Sequence, residues 1–296
     1  MRRKAVSLVL ISLILVACGA PSPTPEAPTP TPAPNVEFFP DLVYVEPLQE
    51  GVKPRELDVY KPLQPGEWPV VVLIHGLGGT KEGYVKESTA IAERGAVVFA
   101  ADWPAYIGDI AAQKDGAGFR EMYEVLACAV RYARSNASDY GGRPSRLILV
   151  GHSYGAVNGA WLALAGDNLD SLWAEYEAAH GGPPSQVKCV AGEGSINVDA
   201  FVGIAGGYDN LPNRLKEANL ELWDILNLAT HVGREPTLPI RLLHGKQDTT
   251  VDPESSVELN ALLAGAGYDT SLILFDGTHR VPSGLTADVV MDLAGK

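Results

Sequence analysis

Gly151-His152-Ser153-Tyr154-Gly155 is the segment best suited to covalent chemistry. It has the form G-x-S-x-G. An apolar run at 147–150 precedes it, and an Ala- and Leu-rich stretch at 154–165 follows. A strand that turns sharply into a helix holds its central serine in a strained backbone, and the flanking glycines relieve the clashes. The hydroxyl is then presented beyond the sheet, with a helix N-terminus beside any developing oxyanion. A plain structural turn is the bland alternative, and the strand-then-helix context weighs against it. A serine hydroxyl needs a base near neutral pH. His279 follows the last strand-like run and can reach across the strand ends. His75 and His244 precede glycines and read as structural, His152 lies inside the serine motif, and His180 and His231 fall in irregular stretches. A base needs a carboxylate to fix its tautomer. Asp248, in His244-Gly245-Lys246-Gln247-Asp248, follows the run at 240–243, with Asp252 as the fallback and Asp276 too near His279 in sequence. The second oxyanion donor is expected from His75-Gly76-Leu77-Gly78-Gly79. The amides of Leu77 and Tyr154 are the first choice, and Gly76 could replace Leu77.

These residues need a scaffold that gathers strand ends. Apolar runs at 42–45, 56–60, 70–74, 96–101, 147–150, 200–205, 240–243 and 271–275 read as eight strands. Stretches at 119–137, 154–165, 254–264 and 285–293 read as helices. Strands without alternation, separated by helices, predict a mostly parallel sheet covered on both faces. Sites in such sheets lie at the carboxyl ends of the strands. The first two strands are expected to pair through a turn near Gly51. Residues 166–195 and 206–236 fit the pattern poorly. They are either excursions over the active edge or helices packed outside. Trp103 and Tyr106, with Trp173, Tyr176 and Trp223 from the excursions, are candidate aromatic walls of a substrate pocket. Packing of the excursions is the alternative for the same rings.

The 296 residues are 46% apolar and 20% charged, enough for a sizeable core. The start differs from the rest. Arg2, Arg3 and Lys4 precede a short apolar run ending in Leu15-Val16-Ala17-Cys18. This has the form of a secretory signal over 1–17, and its ending resembles a bacterial lipobox. That resemblance implies cleavage before Cys18, acylation of its thiol and an extracytoplasmic, membrane-anchored protein. Residues 18–35 then form a Pro- and Thr-rich spacer with polyproline character, and the domain is expected over 36–296. The net charge of −13 becomes more negative if the leader is lost. It argues against nucleic acid as a partner. Cys128 and Cys189 are either a disulfide or two separate thiols. No Cys/His spacing suggests a metal site.

Four signatures stand in chain order: HGLGG at 75–79, GHSYG at 151–155, HGKQD at 244–248 and GTH at 277–279. With LDVYKP at 57–62, they resemble α/β-hydrolases of the esterase and dienelactone-hydrolase-like type, over roughly residues 40–296. The resemblance implies an α/β-hydrolase fold with about eight strands. It also implies hydrolysis of a small-molecule ester through an acyl-enzyme, without a cofactor. Leu77 departs from the HGGG lipase form. A serine at 153, where other branches have aspartate or cysteine, argues against dehalogenase and true dienelactone-hydrolase chemistry. A prolyl-type peptidase shares the fold but usually carries a large extra domain, for which this chain has no room. A non-catalytic binding protein on the same scaffold commonly lacks one of the three site residues, and here all three candidates are present.

Overall fold

The computed structural model describes residues 35–47, 53–105, 117–181, 185–208 and 225–295. Eight strands form one sheet: β1 (Val36–Val45), β2 (Arg55–Pro62), β3 (Trp68–Ile74), β4 (Val97–Ala101), β5 (Gly142–His152), β6 (Ala200–Ile204), β7 (Ile240–Gly245) and β8 (Thr270–Phe275). Their order is β1-β2-β4-β3-β5-β6-β7-β8. The β1–β2 and β2–β4 pairs are antiparallel, and the other neighbours run parallel. The expected turn near Gly51 lies outside the described residues. β1 is interrupted between Phe39 and Leu42, where Asp41 takes a positive φ of 55°.

Both faces of the sheet are covered, which is why its central strands read as unbroken apolar runs. Val70, Val72 and Ile74 of β3 face one core, together with residues of α2 (Ala117–Asn136), α3 (Tyr154–Ala165) and α6 (Glu254–Gly265). Val71 and Leu73 face the other, together with α1 (Val85–Glu93) and α7 (Ser283–Leu293). α1 was not evident in the sequence. Its buried Val85, Ile91 and Ala92 form only a sparse apolar stripe. From β3 the chain passes to β4 on one side, and from β4 it returns to β5 on the other. This reversal sets the loops after β3 and β5 side by side, at the switch point where open α/β sheets form their sites.

The stretch at 166–195 contains a real helix, α4 (Leu169–His180), with Leu169, Trp173 and Tyr176 buried. A short helix, α5 (Leu228–His231), belongs to the later irregular stretch. Beyond α4, the chain is fastened over α2 and the end of β1. Cys128 and Cys189 form a disulfide, with their Cα atoms 5.1 Å apart. Glu46 N–H donates to Lys188 O, and Val190 N–H donates to Tyr44 O. The bridge closes a loop with a sequence separation of 61 residues, and a cross-link of that span restricts the unfolded chain by about 2–4 kcal/mol. We expect the Cys128→Ser, Cys189→Ser double variant to lose that amount in denaturant unfolding and to become insensitive to reductant. A variant as stable as the oxidised parent would contradict this.

Candidate active site

Ser153 sits between β5 and α3 with φ 55° and ψ −120°. A non-glycine residue pays for such a backbone, so its surroundings must hold it there. Ser153 N–H donates to Ile204 O at 2.7 Å. The turn is too tight for side chains at either glycine: a Cβ on Gly151 would lie 2.3 Å from Gly155 O, and one on Gly155 would lie 2.4 Å from His75 O. The two flanking glycines of the motif are therefore dictated by close backbone approach.

Asp248 and His279 meet. His279 Nδ1 lies 2.7 Å from Asp248 Oδ2. The approach depends on Gly245, where a Cβ would lie 2.2 Å from Thr278 O. Gln247 N–H donates to Gly277 O, and Lys246 N–H donates to Phe275 O, tying the two loops together. The Asp248 carboxylate is buried. Its Oδ1 accepts from the amides of Thr250 and Val251 at 2.8 and 3.1 Å, and its Oδ2 also lies 3.1 Å from His244 Nε2. Burial alone would raise its pKa. The His279 bond and the two amides outweigh that and hold it below the usual carboxylate value. His244 Nδ1 in turn meets Ser256 Oγ at 2.7 Å. The fallback Asp252 instead accepts from Glu254 N–H at an exposed turn, and the structure gives it no bond to His279 among the described residues.

The loop after β3 is pinned from several sides. Gly76 O accepts from His75 Nδ1 at 2.8 Å and from Gly79 N–H at 3.0 Å. Gly76 N–H donates to the Tyr84 hydroxyl at 3.1 Å. Gly76 is thus committed elsewhere as a donor, which removes it as the substitute for Leu77. In a trans peptide the Leu77 N–H points opposite to the Gly76 carbonyl, so the two bonds to that carbonyl also aim the Leu77 amide. The Leu77 side chain is 50% exposed. The loop lies against the serine: a Cβ on Gly76 would meet Ser153 Cβ at 3.0 Å. Tyr154 is the first residue of α3, where helix amides point out of the helix end.

Sequence reading did not find the supports under this loop. Lys81 is buried and its ammonium lies 2.6 Å from Asp41, 2.8 Å from Asp58 and 3.1 Å from Glu82. Burial would lower its pKa, and the three carboxylates outweigh it and raise the value. Lys81 N–H also donates to Asp102 Oδ1 at 2.6 Å. Burial pushes the Asp102 carboxyl up to about 6.

The candidate pocket aromatics divide. Trp103 is buried, stacks on Tyr154 at 5.6 Å and donates from its indole to His75 O at 3.0 Å. Trp173 is buried against Tyr123 and Tyr176. Trp103 is a strut beneath the loop after β3, whereas Trp173 lines a cavity with Arg120, Glu124 and Glu177 beside the disulfide, a lining that does not include Ser153 or His279. Tyr106, Trp223 and the lipidation candidate Cys18 lie outside the described residues.

His75, His152, His231 and His244 are buried, and burial pulls each pKa down, to about 4 for His152. Such a group binds protons more readily in the unfolded chain, where its value is about 6.5. Its share of stability is full above pH 6.5 and falls as pH drops toward 4. We therefore expect His152→Gln to lose less stability than the parent between pH 7.5 and 5 in chemical denaturation. An equal loss in both proteins would contradict it.

The fold has counterparts among solved structures. A truncated form of a carbohydrate esterase from gut microbiota superposes with a TM-score of 0.66 at 18% identity, covering 90% of this chain and 99% of that one. Esterase B from Lactobacillus rhamnosis gives 0.65 at 14% identity, covering 90% and 88%. The butyrate-bound thermophilic esterase Est2 of Thermogutta terrifontis gives 0.59 at 17% identity, covering 86% and 92%. At such identities the likeness is one of fold. No curated protein matches in sequence. The BD-FAE family model matches residues 57–263, from β2 into α6 and across the serine elbow, and on that match the chain belongs to the BD-FAE family, here with an α/β-hydrolase fold.

Proposed function

We propose that the protein is a serine-dependent carboxylic ester hydrolase in which Ser153 is the nucleophile, His279 the base and Asp248 the acid that orients it. The observation that carries this reading is the 2.7 Å contact between His279 Nδ1 and Asp248 Oδ2, at strand ends of the same sheet that holds Ser153 in its strained turn. Ser153 Oγ attacks the ester carbonyl and gives its proton to His279 Nε2. Asp248 stabilises the imidazolium that forms, and its many donors keep it ionised. The amides of Leu77 and Tyr154 receive the developing oxyanion. His279 then protonates the leaving alcohol; water next gives a proton to His279 as it attacks the acyl carbon, and that proton returns to Ser153 Oγ as the acid leaves.

Short acyl groups are the proposed preference. Est2 was captured with butyrate and with propionate, and the exposed Leu77 follows Gly76, the residue that lies against Ser153, offering a small apolar surface nearby. The carbohydrate esterase among the structural neighbours makes acetylated sugars a sensible part of a substrate panel. We also propose that the protein is exported and held to a membrane through an acylated Cys18. The Cys128–Cys189 disulfide supports an oxidising compartment.

Ser153→Ala is expected to cost about 10⁴-fold or more in ester turnover with the fold intact. Asp248→Asn should fall by a similar order, and Asp252→Asn should stay near the parent. Active Ser153→Ala protein, measured on p-nitrophenyl acetate and by fluorophosphonate labelling, would remove the central assignment. On a panel of acetyl, butyryl, long-chain and peptide substrates, kcat/KM should be highest for the short esters, and a long-chain or peptide optimum would overturn that preference. Cys18→Ser should move the protein to the soluble fraction with its kcat unchanged, and a variant that stays with the membrane would reveal another anchor.

A further inference from the structure

Two buried side chains outside the proposed triad join all three parts of the site. Gly76 N–H donates to Tyr84 Oη at 3.1 Å. Tyr84 Oη lies 2.6 Å from His152 Nδ1. His152 Nε2 lies 2.9 Å from the carbonyl oxygen of His279. The proton order along this chain is fixed by chemistry. A backbone amide can only donate, so Tyr84 accepts from Gly76. Tyr84 has one proton, which goes to His152 Nδ1. A neutral imidazole with Nδ1 accepting carries its proton on Nε2, and that proton goes to His279 O. Burial keeps both groups in these forms, with His152 pulled down and Tyr84 pushed up.

The ends of the chain are informative. Gly76 precedes Leu77, whose amide is the proposed oxyanion donor. His152 immediately precedes Ser153. The acceptor is the backbone of His279 itself. Tyr84 and His152 are 5% and 6% exposed, so neither is placed to bind substrate directly. Charged and aromatic groups beside the chain include Arg280, whose guanidinium lies 5.5 Å over the Tyr84 ring, Glu87, which lines a small cavity with Tyr84 and His152, and the His279 ring, 4.9 Å from the His152 ring.

We propose that Tyr84 and His152 are positioning residues that hold the oxyanion loop, the serine elbow and the base in one register through a single directional hydrogen-bond chain. The proposal rests on the serine-hydrolase reading above. Without Tyr84 Oη, the Gly76 amide and His152 Nδ1 both lose their partner, and the His75–Gly76 peptide, the one just before the peptide that carries Leu77 N–H, loses its restraint. Such a loss falls on the transition state, because the oxyanion exists only there. Ground-state binding is left nearly alone.

The test compares the parent, Tyr84→Phe, His152→Gln, His152→Phe, the Tyr84→Phe, His152→Phe double variant and Ser153→Ala in kcat and KM on p-nitrophenyl acetate. All are assayed well below their melting temperatures. Tyr84→Phe is expected to lose about tenfold to a hundredfold in kcat, with KM changed by less than about twofold. Gln presents one acceptor and one donor, so His152→Gln should retain more kcat than His152→Phe. The double variant should be little worse than the worse single one, because both break the same chain. Unchanged kcat in Tyr84→Phe, a loss confined to KM, or fully additive losses would overturn the proposal while Ser153→Ala remained inactive. An active Ser153→Ala protein would instead overturn the serine reading, and the positioning role with it.

Discussion

The backbone of Ser153 is the constraint on which the rest of the site depends. A non-glycine residue at φ 55° and ψ −120° is held against about 1–3 kcal/mol of local strain. Nothing local could offset that. The offset comes from the middle of the sheet, where Ile74 pairs with Gly151 and His152 pairs with Ile204. The Ser153 amide closes onto the Ile204 carbonyl. The strain is therefore supported by strands packed in both cores, and any backbone shift in β3, β5 or β6 is felt at one hydroxyl.

Charge and neutrality are kept apart around that point. Near Lys81 the ions are paired: one ammonium faces three carboxylates beneath the loop after β3. Around the serine, the buried histidines work as neutral connectors, each offering one donor and one acceptor in fixed directions. His75 joins Trp103 to Gly76, and His244 joins Asp248 to Ser256. Asp248 is an ionised group drawn deep into this neutral set. It tolerates burial because two amides and two imidazoles surround its oxygens. An imidazolium on His279 thus finds one committed counter-charge.

Much of the fold was legible because it is local. The apolar runs of β3, β4, β5, β6 and β7 each carry their own signal, and turns such as Gly151–Gly155 and Gly245 announce themselves by residue type. The pairing of Asp248 with His279 followed from chain order and strand ends. Other features depend on contacts that no local pattern encodes. Tyr84 meets His152 across 68 positions, and His152 meets His279 across 127. Lys81 reads as an ordinary surface lysine until β2 places Asp58 beside it. Trp103 and Trp173 showed their size but not their direction, and the structure turns both inward. Cys128 and Cys189 allowed two readings until β1 and α2 brought the strap across.

The antiparallel start of the sheet has a geometric consequence for the whole molecule. β1 pairs Val36 with Pro62 and Val45 with Arg55, while β2 pairs Leu57 with Ala101 at the carboxyl end of β4. β1 therefore ends on the side where the loops of the site gather and begins on the other. The chain before Val36 joins the domain at the pole opposite Ser153. The proposed tether on Cys18, were it to pull from that pole, would turn the mouth of the site outward, toward diffusing solutes.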